Sequence, residues 1–238
     1  MSRKKIERTY GSTLKGIMFA VNPIKKKVLK THCTVHKFIN LKAINILKIN
    51  GYQEEYDFFK QNARTINEGV VWADQDFKSS NHFYHVVKGK GLYGFSDALT
   101  ECKKYYSNSL KYLKENNIKK SLFYLGAACH LIQDATVPQH VNNKLLKSHR
   151  KFEIWIISKL MSDYSFEEEK SLKKFSYIEE YIKNNAVFAD NTYREFKNIE
   201  NLEERYDKIS RKIISEAQKT TAGFLLDYYE EYKDTYSK

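Results

Sequence analysis

The sequence predicts an all-α protein, a compact single-domain multi-helix bundle, and three observations predict it. Nine Gly and two Pro in 238 residues are too few for a sandwich or barrel, which needs turn residues every ~8–12 positions. Apolar residues recur at three- and four-residue spacing through most of the chain rather than alternating. Hydrophobic residues make up 42% and aromatics 14%, which suffices for a sizeable core and excludes a disordered chain. No apolar run approaches the ~20 residues that cross a bilayer.

Residues 1–31 read as a basic N-terminal segment carrying Arg3, Lys4, Lys5 and Arg8, ahead of a helical domain over 32–238. The best apolar stretch of this segment, Gly16 to Val21, is interrupted early by Lys15. Met18 stands where cleavage after Ala20 requires a small residue, so no convincing signal peptide is read. A helix is predicted over 34–50, where Ile39, Ala43 and Ile46 share a face with His36 and Gly51 supplies the stop. A weaker amphipathic helix follows over 54–66. Residues 69–94, with Gly89, Gly91 and Gly94 and the aperiodic Trp72-Ala73-Asp74-Gln75-Asp76, read as a long loop of the kind that is often functional.

Helix resumes over 96–116, with a stripe of Ala98, Leu99, Cys102, Tyr105, Tyr106, Leu110 and Leu113. The next, from Ile118 to about Thr136, is apolar almost all round from Leu122 to Ile132, which marks a central buried helix. Pro138 ends it. Further helices are expected over 145–161, 178–198 and 202–234.

The net charge is +12, and only seven of the 41 basic residues are Arg. Arg is the usual reader of phosphates and bases, whereas Lys is a less specific point charge. No basic block has the length of a nucleic-acid arm, so the Lys-rich surface reads first as solvated and second as suited to an anionic partner, either membrane or nucleic acid. Cys33, Cys102 and Cys129 are too few for a disulfide framework.

Among the seven histidines, it is the placement that points to chemistry. His130 and Asp134 are four apart on the buried helix, and His149 and Glu153 are four apart on the next one, so each pair shares a helix face. His140 lies between them. A lone pair of this kind is ordinary, but five metal-capable side chains within 24 positions are not. An unpaired carboxylate at Asp134 would be costly on an apolar helix, and a metal removes that cost. Imidazoles and carboxylates suit zinc.

The run from His130 to Asn143 resembles the signature of the bacterial zinc-dependent phospholipases C, the family of the clostridial alpha-toxin and the Bacillus phosphatidylcholine-hydrolysing enzyme. His130, Asp134, Pro138, His140 and Asn143 match it. Leu131, Gln133 and Thr136 depart from the usual Tyr, the usual Gly or Thr, and the usual Asp, Asn, Ser or His. Thr34-Val35-His36, Trp72-Ala73-Asp74 (Ala73 replacing Pro), Asn81-His82-Phe83-Tyr84, Phe123 to Gly126, His149 to Glu153 and Glu216 to Gly223 resemble further elements of the family.

The resemblance implies the fold of the phospholipase C and P1 nuclease type and a site holding two or three zinc ions. Asp74, His82, His130 and Asp134 would hold one, and His140, His149 and Glu153 a second. His36 and a bridging Asp134 would help hold a third, which in the family is completed by an N-terminal Trp shortly before the first His. Residues 23–31 contain no Trp, so a chain processed to begin near Val21 would have to supply its amine, with His32 and Cys33 as nearby substitutes. The implied reaction is phospholipase C hydrolysis by a zinc-bound hydroxide, releasing diacylglycerol and a phosphorylated headgroup. Asp74 is the catalytic base, the partner is phospholipid at a membrane surface, and the implied location is extracellular. Gln75 and Ser79 stand where the choline-preferring relative carries aromatics, so neither can make cation–π contact with a quaternary ammonium. Two alternatives remain: an S1/P1-type zinc nuclease, against which Glu153 counts because those enzymes usually carry Asp there, and a non-catalytic basic helical binding protein with a vestigial metal site.

Overall fold

The computed structural model describes residues 22–75, 80–92, 96–142, 147–162, 166 and 169–236, and of residues 22–32, 147 and 148 the backbone alone. Ser79, Asn143, the segment 1–21 and the side chain of His32 therefore lie outside the described residues. The described residues form eight helices and no strands: α1 (Asn22–Ile49), α2 (Gln53–Ala73), α3 (Ala98–Lys114), α4 (Ile118–Asp134), α5 (Pro138–Val141), α6 (Lys147–Leu160), α7 (Ile178–Phe196) and α8 (Leu202–Tyr236). None of them is long and apolar enough to cross a membrane.

The expected central helix is α4. It packs against α2 and α3 on two sides and against α7 and α8 on others. Its residues from Leu125 to Asp134 are all buried. The turn into it is short because Asn116 takes the left-handed conformation (φ 56°) that Asn tolerates, and Asn117 then caps α4 by accepting from the Lys120 amide at 3.2 Å. Asp97 caps α3 in the same way through Thr100. The three cysteines are free and buried.

Two elements differ from expectation. Helix α1 starts at Asn22 rather than 34, with Pro23 in its first turn, where a missing N–H costs nothing. Helix α2 runs on through Gly69 to Ala73, into the stretch read as a loop. Gly69 looks like a helix breaker in sequence, but its lack of a side chain serves packing. A Cβ there would lie 1.8 Å from the Phe123 carbonyl oxygen of α4, and one at Gly126 would lie 2.0 Å from that of Ile66 on α2. The two glycines let the helices cross in direct backbone contact, and burial of Ile66, Val70 and Ala73 offsets the low helix propensity of Gly. The crossing sets Asp74, at the end of α2, beside α4.

Two apolar cores result. The larger joins α4 to α1, α2, α3, α7 and α8. The smaller gathers Ile39 of α1, Phe152 and Ile156 of α6, and Ile209, Ile213 and Ile214 of α8. The site lies where α1, α2, α4, α5 and α6 meet.

Candidate metal centre

All eight residues singled out in the sequence lie in the described part and converge. Potential ligand atoms of His36, His130 and Asp134 lie within 4.8 Å of one another, as do those of Asp74, His82 and His130, and those of His140, His149 and Glu153. Helical spacing accounts for two of the pairings: His130 Nε2 is 3.1 Å from Asp134 Oδ2, and His149 Nε2 is 3.1 Å from Glu153 Oε1. The others need the fold. Helix α1 brings His36 Nε2 to 3.4 Å from Asp134 Oδ1, and the segment after α2 brings His82 Nδ1 to 2.8 Å from Asp134 Oδ2. Helix α5 places His140 Nδ1 at 3.7 Å from Asp134 Oδ2 and Nε2 at 2.7 Å from His149 Nε2. Pro138 occupies the first position of α5 and so turns the chain between the two groups.

The orientation of two rings is set by backbone oxygens, which can only accept. His82 Nε2 donates to the Ala73 carbonyl at 3.0 Å, so its Nδ1 lone pair faces Asp134. His140 Nδ1 donates to the His82 carbonyl at 3.2 Å, so its Nε2 lone pair faces His149. Outer nitrogens held this way are the usual support of metal-binding histidines. Phe83 stacks on the His140 ring, centroid to centroid 4.9 Å. Asp134 Oδ2, though close to His82 and His130 nitrogens, receives no well-formed hydrogen bond and is buried. Lone pairs and carboxylate oxygens aimed at one another are repulsive unless a cation lies among them, so the donor set fits a metal.

The electrostatics of His130 and His140 agree. Burial pushes His130 down to about 3, with His36 adding to the effect. Burial likewise pushes His140 down to about 4, with His149 contributing. Both rings are neutral at pH 7, as a metal ligand must be. Asp134 is held well below the usual carboxylate range: burial opposes this, but the imidazoles of His140, His130 and His82 outweigh it. His82 is shifted upward, burial again opposing and Asp134 prevailing. Burial raises Asp74.

Several further neighbours adjoin the eight, among them Cys33, read from the sequence as a substitute for a terminal amine. Cys33 is buried with its thiol 3.8 Å from Asp74 Oδ2, and its position three residues before His36 was the available signal. Gln133, noted only as a departure within the motif, accepts from His36 Nδ1 at 2.8 Å. His85 is turned to a local task, its Nδ1 accepting from the Val87 amide at 3.2 Å. The terminus imagined near Val21 fits poorly: helix α1 carries Asn22 about 21 Å along its axis from His36.

The chain was compared with known proteins. The zinc dependent phospholipase C family matches residues 35–237. A phospholipase C of Bacillus cereus is 26% identical over 232 residues, covering 84% of this chain and 82% of that protein. Among solved structures, the alpha-toxin of Clostridium absonum superposes with a TM-score of 0.69 at 19% identity, over 87% of this chain and 66% of the toxin. The Clostridium perfringens alpha-toxin from avian strain SWCP gives 0.64 at 18% identity, over 87% and 64%. This chain thus spans somewhat less than two thirds of either toxin chain, and that likeness bears on the fold. The match across nearly the whole helical bundle, with the metal-binding groups inside it, places this protein among the enzymes of the zinc-dependent phospholipase C family.

Proposed function

We propose that this protein is a phosphodiester hydrolase acting on phospholipid as a phospholipase C, releasing diacylglycerol and a phosphorylated headgroup, through a domain spanning residues 32–238. The observation that carries the reading is the convergence of His36, Asp74, His82, His130, Asp134, His140, His149 and Glu153 into three overlapping or adjoining groups, buried around Asp134 and part-exposed at Glu153.

In this reading Asp74, His82, His130 and Asp134 hold one zinc, and His140, His149 and Glu153 hold a second. His36 and Asp134 contribute to a third. When bound, zinc supplies Lewis acidity toward phosphoryl oxygens and makes water easier to deprotonate at neutral pH. The chain's own residues do the rest. Asp134 bridges the groups because its two oxygens face different histidines. Neutral His130 and His140 offer lone pairs without competing protons. Asp74 is the candidate base: burial raises its affinity for a proton, so its carboxylate is suited to take the proton of an attacking water. Gln75 lies next to it and lacks the π face that binds a quaternary ammonium, so this position supplies no cation–π contact.

The test is hydrolysis of vesicles of defined phospholipid, beside single-stranded DNA, by wild type and Asp74→Asn. Lipid turnover that falls at least ~10²-fold in the variant while zinc content is retained supports the reading. DNA cleavage without lipid cleavage points to a nuclease, and an Asp74→Asn variant of full activity removes Asp74 from the chemistry.

A further inference from the structure

His82 and His140 have their outer nitrogens fixed by backbone carbonyls, whereas the outer nitrogen of His36 meets a side chain. His36 Nδ1 lies 2.8 Å from Gln133 Oε1. The Gln133 amide nitrogen donates to Asn40 Oδ1 at 2.7 Å and to Thr221 Oγ1 at 3.2 Å. Asn40 in turn donates from Nδ2 to Asn67 Oδ1 at 2.9 Å. Gln133, Asn40 and Thr221 are buried. Turning the Gln133 amide over alone would set its oxygen against Asn40 Oδ1 at hydrogen-bond distance, an acceptor against an acceptor. In the orientation the structure gives the three amides, protons point from His36 to Gln133 to Asn40 to Asn67.

An amide oxygen only accepts, so Nδ1 of His36 carries the ring proton and Nε2 carries the lone pair. That lone pair faces Asp134 Oδ1 at 3.4 Å. Without the relay, a neutral His36 would relax by moving its proton to Nε2 and bonding Asp134 directly, which closes this edge of the site to a cation. We propose that Gln133 is a positioning residue that holds His36 in its Nε2-ligating form, keeping the His36–Asp134 edge open to a metal ion. The proposal rests on the ligand set proposed above. It gives a task to a residue that departs from the usual Gly or Thr of the motif, neither of which can span from α4 to His36 as an amide does.

Two measurements test it on the zinc-loaded full chain. Long-range 1H–15N correlation of the imidazoles in wild type, with His36 assigned by its loss in His36→Gln, should find the ring proton on Nδ1. A proton on Nε2 overturns the relay, and this experiment needs no variant at Gln133. Competition with a chromophoric chelator should then show Gln133→Met releasing one equivalent of zinc about 10- to 100-fold more readily than wild type, the range expected for partners of metal-binding histidines, with the other zinc unchanged. Gln133→Glu, which keeps an acceptor for Nδ1 but sets its second oxygen against Asn40 Oδ1, should hold that equivalent while lowering the melting temperature. Identical release by a folded Gln133→Met overturns the proposal, as does equal loosening in both variants, which would mark a packing role. Wild type that binds no zinc fails the ligand reading itself, whereas zinc-loaded protein with its His36 proton on Nε2 fails only the relay.

Discussion

The two halves of the metal centre are built on different cores. Around Asp134, the ligands come from α1, α2, α4 and the segment after α2, and the side chains of His82, His130 and Asp134 are 4%, 2% and 5% exposed. In the second group, His149 and Glu153 sit on α6, whose Phe152 and Ile156 belong to the smaller core, and their side chains are 19% and 31% exposed, while their partner His140 on α5 is 6% exposed. Solvent can replace a cation at the second group, but emptying the first leaves a carboxylate and lone pairs stranded in the interior. On the proposed ligand set, a cation in the Asp134 group would be coupled to folding and one in the Glu153 group to exchange with the medium.

The largest effect that would sharpen this contrast comes from Asp134→Asn. It removes the shared charge from all the rings around it, and we expect loss of more than one zinc per chain, hydrolysis down by more than ~10²-fold, and a clearly lower melting temperature. Glu153→Gln should weaken one zinc by roughly 10- to 100-fold and leave the melting temperature of the zinc-loaded protein nearly unchanged. Metal content and calorimetry on both variants decide the matter, and equal thermal losses would break the distinction between the halves.

A substitution away from the ligands gives a smaller effect. Gly126→Ala forces a methyl against the Ile66 carbonyl oxygen and should cost about 1–3 kcal/mol, measurable by denaturant unfolding. Because the crossing carries Asp74 and Asp134, zinc of the buried group should loosen before that of the His149 group. Release in the opposite order would show that the crossing does not position the site.

The smallest effect isolates α8 from both groups. Glu169 is held down to about 2: burial opposes this, but hydrogen bonds from Ser215 and Ser171, together with Lys219, prevail. A carboxylate depressed on folding stabilises fully above its unfolded value of about 4.5, and that stabilisation disappears as pH falls toward 2. Glu169→Gln should therefore lower the melting temperature by a few degrees at pH 7, and the gap should narrow below about pH 4.5 and close toward pH 2. A gap independent of pH would assign the loss to packing.

Much of the centre was legible because helical geometry is local. His130 with Asp134 and His149 with Glu153 are one turn apart whatever the rest of the chain does, and the apolar run around the first pair already demanded a partner for its carboxylate. Three features were not legible. Gly69 looked like a helix breaker because propensity speaks against Gly, and only the facing Phe123 carbonyl explains why Gly alone fits there. The reach of α1 back to Asn22 reverses the idea that a terminus near Val21 lies at the site. The role of Gln133 was hidden because its partners, Asn40 and Thr221, are 93 and 88 residues away in the chain.

By itself, then, the sequence determined the helical class, the central helix and the identity of the convergent histidines and carboxylates. The class, the central helix and the group from His130 to Glu153 follow from short-range spacing and from the cost of burying polar groups without partners, whereas His36, Asp74 and His82 were legible only through the resemblance to the family. Only the tertiary structure decided which nitrogen of each ring faces inward, how Asp134 divides its oxygens between His36 and His82, and why one half of the centre is sealed and the other open. Those properties depend on hydrogen bonds and backbone approaches between helices distant in the chain, and no local pattern of residues encodes such distances.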